Sequence, residues 1–274
     1  MSAHPRLLLE HLRLPHAAAV AQEWLDRAAQ EGLSYADFLA GLLEAEAAAR
    51  QAADTARRLR EAGFPYAASI EQFDFRFRPD LKRQLILRYL DPSCVEQAHN
   101  LTLVGAPGLG KTMLAICVAT KQVQLGYTAR FVTAQQLATQ LGRAATARGR
   151  QRVLRPLLAC DVLVLDELGY LPTEPGFGPA LYEIVAGRAT RRPTLITSNK
   201  SLSEWGGVVQ DASLAAAVVD RIVERGQVFY LKGPSWRTRG RTPDGELAPG
   251  AASPAEAGAA PTGAPPHQAA PASA

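Results

Sequence analysis

Asn100-Leu-Thr-Leu-Val-Gly105-Ala-Pro-Gly-Leu-Gly110-Lys111-Thr112 is the stretch that decides the fold. Its first six residues form a short, largely apolar run and predict a buried strand. From Lys111 to Leu125 the chain reads as a helix. Between them, Gly105, Ala106, Pro107, Gly108, Leu109, Gly110, Lys111 and Thr112 match the pattern GxxxxGK[ST] at every fixed position. The glycines let the backbone curl so that successive amides face phosphate oxygens, and the helix start adds its dipole. Lys111 is placed to reach the β and γ phosphates of a nucleoside triphosphate, and Thr112 to offer a hydroxyl to Mg²⁺. An ordinary glycine turn is the plainer reading of such a run. It does not explain why the motif stands after an apolar strand and before a helix, where phosphate binding needs it.

Working outward, β-rich runs alternate with helical stretches. Strands are expected at 129–133, 161–166, 194–198 and 228–231, and helices at 134–142, 178–188 and 214–224. The strand runs are apolar without alternation, so both faces are covered. The alternation of β and α predicts a parallel sheet with helices on both sides.

Two strand ends carry further chemistry. Val162-Leu-Val-Leu-Asp166-Glu167 puts two carboxylates at the C-terminal end of a buried strand, where ligands sit in open α/β sheets. Asp166 is suited to help hold Mg²⁺ and Glu167 to polarise an attacking water. Small-molecule kinases do not usually need that second carboxylate, because their acceptor brings its own nucleophile. The next strand ends Thr197-Ser198-Asn199, which aims the Asn199 amide between the phosphate loop and the Glu167 strand.

Composition frames the rest. The chain has 274 residues, 47% of them hydrophobic and 20% charged, a globular balance. No apolar run is long enough for a membrane span, and the N-terminus lacks a signal pattern. Cys94, Cys117 and Cys160 are widely spaced with no CxxC, so buried thiols in a cytoplasmic protein are expected. Net charge is +4, with residues 1–241 at +7 and the last 33 at −3. Three zones follow. Residues 1–66 read as a helical N-terminal domain, with a helix from His16 to Glu31 stopping at Gly32. Ser34 then opens a capped helix that reaches towards Glu61 and ends at Gly63-Phe64-Pro65. Residues 67–241 form the α/β domain. Residues 242–274, with seven Pro and twelve Ala, are expected to be a disordered tail.

These motifs, in this order, resemble those of the AAA+ ATPases, whose five-stranded parallel sheet runs 5-1-4-3-2. Within them the chain is similar to the IstB-like family, ATP-binding helpers of bacterial insertion sequences, with DnaC helicase loaders as close relatives. The resemblance is carried by Phe38-Leu-Ala-Gly-Leu-Leu-Glu44, Phe64-Pro65, Phe73-Asp-Phe75 and Asp166-Glu-Leu-Gly-Tyr-Leu-Pro172. It continues through Thr197-Ser-Asn199, Glu204-Trp-Gly206, Asp220-Arg221 and Gly233-Pro-Ser-Trp-Arg237. Met113 and Glu224-Arg225 depart from it, standing where the family often has His and His-His. The resemblance implies an ATPase using ATP and Mg²⁺, assembling on double-stranded DNA as a ring or spiral of copies and cooperating with a transposase. It also implies Arg221 as an arginine finger acting on a neighbouring subunit, with Arg225 as the competing candidate. A DnaC-like loader in replication, or an ATP-dependent DNA-binding switch without appreciable hydrolysis, are the other functions it leaves open. After Arg221 about 20 residues precede the tail, too few for a helical lid.

Arg143, Arg148, Arg150, Arg152 and Arg155 fall close together with no acid between them. Such a run repels itself unless a polyanion is near, so phosphate contact with DNA is one reading and a solvated helix face and loop the other. Arg188, Arg191 and Arg192 form a second patch, and Arg237, Arg239 and Arg241 a third. No helix-turn-helix or zinc pattern appears, so contacts are expected to be with the DNA backbone.

Overall fold

The computed structural model describes residues 5–170 and 176–236. The expected tail, the third arginine patch and the stretch that decides whether a lid follows lie outside the described residues.

The chain opens with three helices, α1 (Pro5–His11), α2 (Pro15–Glu31) and α3 (Tyr35–Ala62). Local signals set their ends. Gly32 and Gly63 take left-handed conformations at the C-termini of α2 and α3, and the Ser34 side chain accepts from the Asp37 amide at 3.1 Å. Buried Glu46 of α3 accepts from the Ala17 amide at 2.8 Å and from Arg50 Nε at 2.7 Å, which pins the start of α2 to α3. These hydrogen bonds, the Ala17 amide first, hold the Glu46 carboxyl below its ordinary pKa. The end of α3 merges with the next layer: Ala62 is core, Arg130 donates to the Glu61 carbonyl at 2.7 Å, and Phe64 meets Phe131 edge-on at 6.5 Å.

Short 3-10 turns and two short helices, α4 (Arg83–Leu87) and α5 (Ser93–Glu96), connect to the sheet. Then follow β1 (Asn100–Gly105), α6 (Lys111–Gln124), β2 (Ala129–Thr133), α7 (Ala134–Arg143), α8 (Ala147–Ala159) and β3 (Val162–Leu168). The chain continues with α9 (Phe177–Arg188), β4 (Thr194–Ser198), α10 (Trp205–Val209), α11 (Ala212–Val223) and β5 (Gly226–Leu231). The strands run in the order β2-β3-β4-β1-β5 and every neighbouring pair is parallel, as expected. Strands β1, β3 and β4 are buried on both faces. Leu101, Leu114, Val118, Val164 and Leu195 belong to one core cluster, and Leu137, Leu163, Phe177, Ile184, Trp205 and Val218 to the other. All three cysteines are buried free thiols, and burial pushes Cys94 and Cys117 up to about 12.

The structure refines the sequence reading at three places. The arginine run is not part helix and part loop: after the end of α7 it lies on the continuous helix α8, capped by Thr146. β3 extends past Asp166 to Leu168 through a bulge, since Leu165 pairs with Ile196 and Leu168 with Ser198. Arg188 does not belong to a surface patch. It is 1% exposed and donates to the carbonyls of Leu157, Cys160, Asp161 and Pro193 and to the Thr194 hydroxyl. Its planar fork gathers the ends of α8, β3 and β4, and the four carbonyls pair N–H groups that burial takes out of solvent.

Candidate nucleotide-binding site

The loop between β1 and α6 curls as the glycines require. Gly105 and Gly108 have φ of 156° and 78°. A Cβ on Gly108 would stand 1.9 Å from Ser235 Oγ, and one on Gly105 would stand 2.4 Å from the Leu231 carbonyl. The loop is therefore closed from behind by the chain that leaves β5. Gly110, left-handed, starts α6 without a side-chain cap, so no side chain of the cap takes the first amides of that helix. Lys111 Nζ donates to the carbonyls of Gly105 and Ala106 at 2.7 and 2.8 Å, which keeps the ammonium at the loop.

Three strand ends converge there. Thr112 Oγ1 donates to Asp166 Oδ1 at 2.8 Å, and Thr197 Oγ1 donates to the same oxygen at 2.5 Å. Thr197 Oγ1 in turn accepts from the Glu167 amide at 3.0 Å. Asp166 is 3% exposed, whereas the Glu167 side chain is open to solvent. The bulge in β3 explains the difference. Glu167 has φ of 59°, a conformation costly for a side-chain-bearing residue, and it turns the second carboxylate out of the strand's alternation. Asn199 follows β4, and its Oδ1 is buried with no hydrogen-bond partner among the described residues. An unpaired buried acceptor is expensive and marks a place where a ligand or water completes the site.

Glu167, Thr197, Asn199 and the loop residues line one cavity of ≈ 700 Å³. Its other wall is apolar: Tyr66, Phe73, Phe77 and Trp236. Sequence reasoning passed over this wall and the residue behind it. Arg78, 2% exposed, sits under the loop and donates to Leu109, and residues 232–236 fold back so that the Trp236 amide donates to the Gly108 carbonyl at 2.8 Å. The nearby Phe73-Asp-Phe75 and Gly233-Pro-Ser-Trp236 runs were the available signals, since aromatic residues flanking a phosphate loop suit a nucleobase.

Arg221 is not near this cavity in its own chain. It lies at the end of α11, exposed, and pairs with Glu224 at 3.2 Å rather than with Asp220. Its carbonyl and that of Ile222 receive Asn100 Nδ2, at the start of β1. The whole of β1, about 20 Å of strand, separates it from the phosphate loop. Of the arginine run, Arg148, Arg152 and Arg155 are exposed and span about 60° of the α8 surface at 3.6 residues per turn. Arg150 faces away, 3.9 Å from Glu183, and Arg143 is exposed at the end of α7.

A family model described as IstB-like ATP binding protein matches residues 7–243. The chain belongs to this IstB-like family. It is 35% identical over 233 residues to the ATP-binding protein of insertion sequence IS5376 from Geobacillus stearothermophilus, covering 84% of this chain and 93% of that one. It is 32% identical over 241 residues to the corresponding protein of insertion sequence IS21 from Pseudomonas aeruginosa, covering 88% and 91%. Among solved structures the crystal structure of DnaI superposes with a TM-score of 0.51 at 20% identity, over 60% of this chain and 91% of that one, a likeness of fold. The site of this IstB-like chain suits the nucleotide of its family. The loop and helix start offer main-chain donors, Asn199 holds an orphaned polar atom, and Thr112 and Asp166 form the hard oxygen pair that Mg²⁺ prefers. No helix among the described residues is long and apolar enough to cross a membrane.

Proposed function

We propose that this IstB-like protein hydrolyses ATP while assembled on double-stranded DNA and serves as the helper of a transposase. The observation that carries the reading is the meeting of three strand ends around the phosphate loop: Thr112 and Thr197 on Asp166, Glu167 turned outward by the bulge, and Asn199 with an unused buried oxygen. A site that only gripped nucleotide would need the loop but not a freed second carboxylate.

In this mechanism the amides of Gly108 to Thr112 and the Lys111 ammonium hold the β and γ phosphates. Thr112 and Asp166 would hold Mg²⁺, which neutralises phosphate charge when bound. Glu167 takes the proton of the attacking water, and Asn199 fixes that water or the γ-phosphate. The Phe77 and Trp236 side of the cavity receives the base. Lys111 and buried Arg78 are the basic residues that line the cavity among the described residues, and Arg221 supplies a further cation to the γ-phosphate from the next copy. A head-to-tail contact of this kind is heterologous and builds a ring or an open spiral. Arg148, Arg152 and Arg155, with Arg143 beside them, meet the DNA backbone. The names of the insertion-sequence relatives support transposition as the setting.

ATP turnover of the full chain, with and without duplex DNA and across protein concentration, tests this. DNA and rising concentration should both raise turnover per subunit, and a transposase from the same element should be retained on DNA only with ATP. ATP held on DNA with no turnover would replace the reading by a nucleotide-dependent switch.

A further inference from the structure

Arg78 makes an unusual set of contacts for a buried cation. Nε donates to the Leu109 carbonyl at 3.0 Å, Nη1 to Phe77 at 3.0 Å and Nη2 to Pro234 at 2.8 Å. Its three partners belong to three separate pieces of chain: the phosphate loop, the turn before α4, and the segment that follows β5. Burial lowers its pKa, and the Asp80 charge opposes that shift. A neutral side chain would fill the same space without the cost of desolvating a charge. What a neutral side chain lacks is a rigid fork that donates in several fixed directions at once.

The segment it holds has other ties to the same place. Lys232 donates its amide to Asp80 Oδ2 at 2.8 Å, and Trp236 donates its amide to Gly108. The Trp236 ring meets Phe77 edge-on at 5.0 Å, and the Arg78 guanidinium lies 4.5 Å from the centre of the Phe77 ring. Both rings line the cavity beside the phosphate loop. Lys232, Gly233 and Pro234 are exposed, so this part of the segment is held by such ties more than by burial.

We propose that Arg78 is a positioning residue that clamps residues 232–236 onto the phosphate loop and thereby holds Phe77 and Trp236 as the wall for the nucleobase. The proposal rests on the reading of this cavity as the ATP site. Arg78 meets the phosphate loop only through the Leu109 carbonyl, while its other bonds hold the Phe77 and Pro234 main chain beside the two rings, so it should govern the base more than the phosphates.

The test compares ATP with inorganic tripolyphosphate, which has the phosphates and no base, on the full chain. Arg78→Lys keeps the charge but cannot span three carbonyls. Its ATP affinity should fall about tenfold, the scale of one or two lost charge-assisted hydrogen bonds, with tripolyphosphate affinity within about twofold of wild type. Trp236 emission, obtained by difference from a Trp236→Phe blank, should shift to the red before any ligand is added. Asp80→Ala is the second variant, because Asp80 is exposed and its loss frees the Lys232 amide while the Arg78 fork itself stays in place. It should show a smaller loss on ATP, again sparing tripolyphosphate, and it decides alone if Arg78→Lys fails to fold. Equal losses on both ligands would mean that the arginine shapes the loop itself and would overturn the clamp. Unchanged ATP affinity in the folded variants would overturn it as well. Wild-type protein that bound neither ligand would overturn the nucleotide site, and the clamp with it.

Discussion

Asn199 and Asn100 stand at opposite ends of the same parallel sheet and are treated in opposite ways. At the N-terminal end, Asn100 Oδ1 accepts from the Thr194 amide at 2.9 Å and Nδ2 donates to the Ile222 carbonyl at 3.2 Å. That amide is consumed in joining β1, β4 and the end of α11. At the C-terminal end, Asn199 Oδ1 is buried without a partner, beside a left-handed Glu167 and a bulged β3. One asparagine follows the rule that buried polar groups are paired; the other leaves an oxygen unpaired, next to a strained backbone and an irregular strand. Parallel strands place their loops and helix starts at the C-terminal end, so that is where a ligand can settle the unpaired oxygen. Arg221 is exposed at the other end, and the proposed function gives it work on another copy.

The most severe way to break this contrast is Lys111→Ala. It removes the fixed cation of the phosphate loop, and ATP binding by the folded variant should be nearly abolished in a nucleotide titration. Unchanged affinity would mean that the loop is not the site. Glu167→Gln comes next. The amide keeps size and hydrogen bonding but takes no proton, so turnover should fall by about 10²–10⁴ while ATP still binds. Single-turnover hydrolysis at the wild-type rate would show that another group activates the water.

Arg221→Ala sharpens the contrast by testing the N-terminal end. It should bind ATP normally and lose the part of turnover that rises with protein concentration. Mixed with Lys111→Ala protein, it should regain some activity, since one partner brings an intact site and the other an intact arginine. No recovery on mixing would point to Arg225 or to a site complete in one chain. The mildest change concerns α8, which belongs to neither end. Replacing Arg148, Arg152 and Arg155 with Ala should weaken duplex DNA binding regardless of sequence. The slope of log affinity against log salt should flatten by roughly 0.9 for each lost contact. Parallel salt plots for variant and wild type would leave the stripe merely solvated.

Much of the fold was legible because its signals are local. The Gly105–Thr112 run, the caps at Ser34, Gly32 and Gly63, and the apolar strands at 100–105, 162–165 and 194–198 each speak through neighbours in sequence. The strand order also followed once the motifs were matched to a family. The region from Ala67 to His99 stayed unread because its turns are short and irregular, with apolar residues spaced for no single period. Helix α8 was half-read, since Pro156 and a run of like charge both argue against a helix whose burial of Leu154 and Leu157 outweighs them.

The sequence by itself determined where the phosphate-loop motif stands and which carboxylates and amide stand at the strand ends. It could not sort the arginines. Arg78 and Arg188 read no differently from Arg148 or Arg221, yet the first two are buried under main-chain carbonyls and the others are exposed. Arg78 reaches Pro234, 156 residues away, and Arg188 reaches Leu157, 31 residues away. Whether a guanidinium meets water, DNA or the backbone depends on which carbonyls the folded chain brings within 3 Å of it. The bulge that turns Glu167 outward has the same origin, because it exists only as a mismatch in length between β3 and β4 once they are paired.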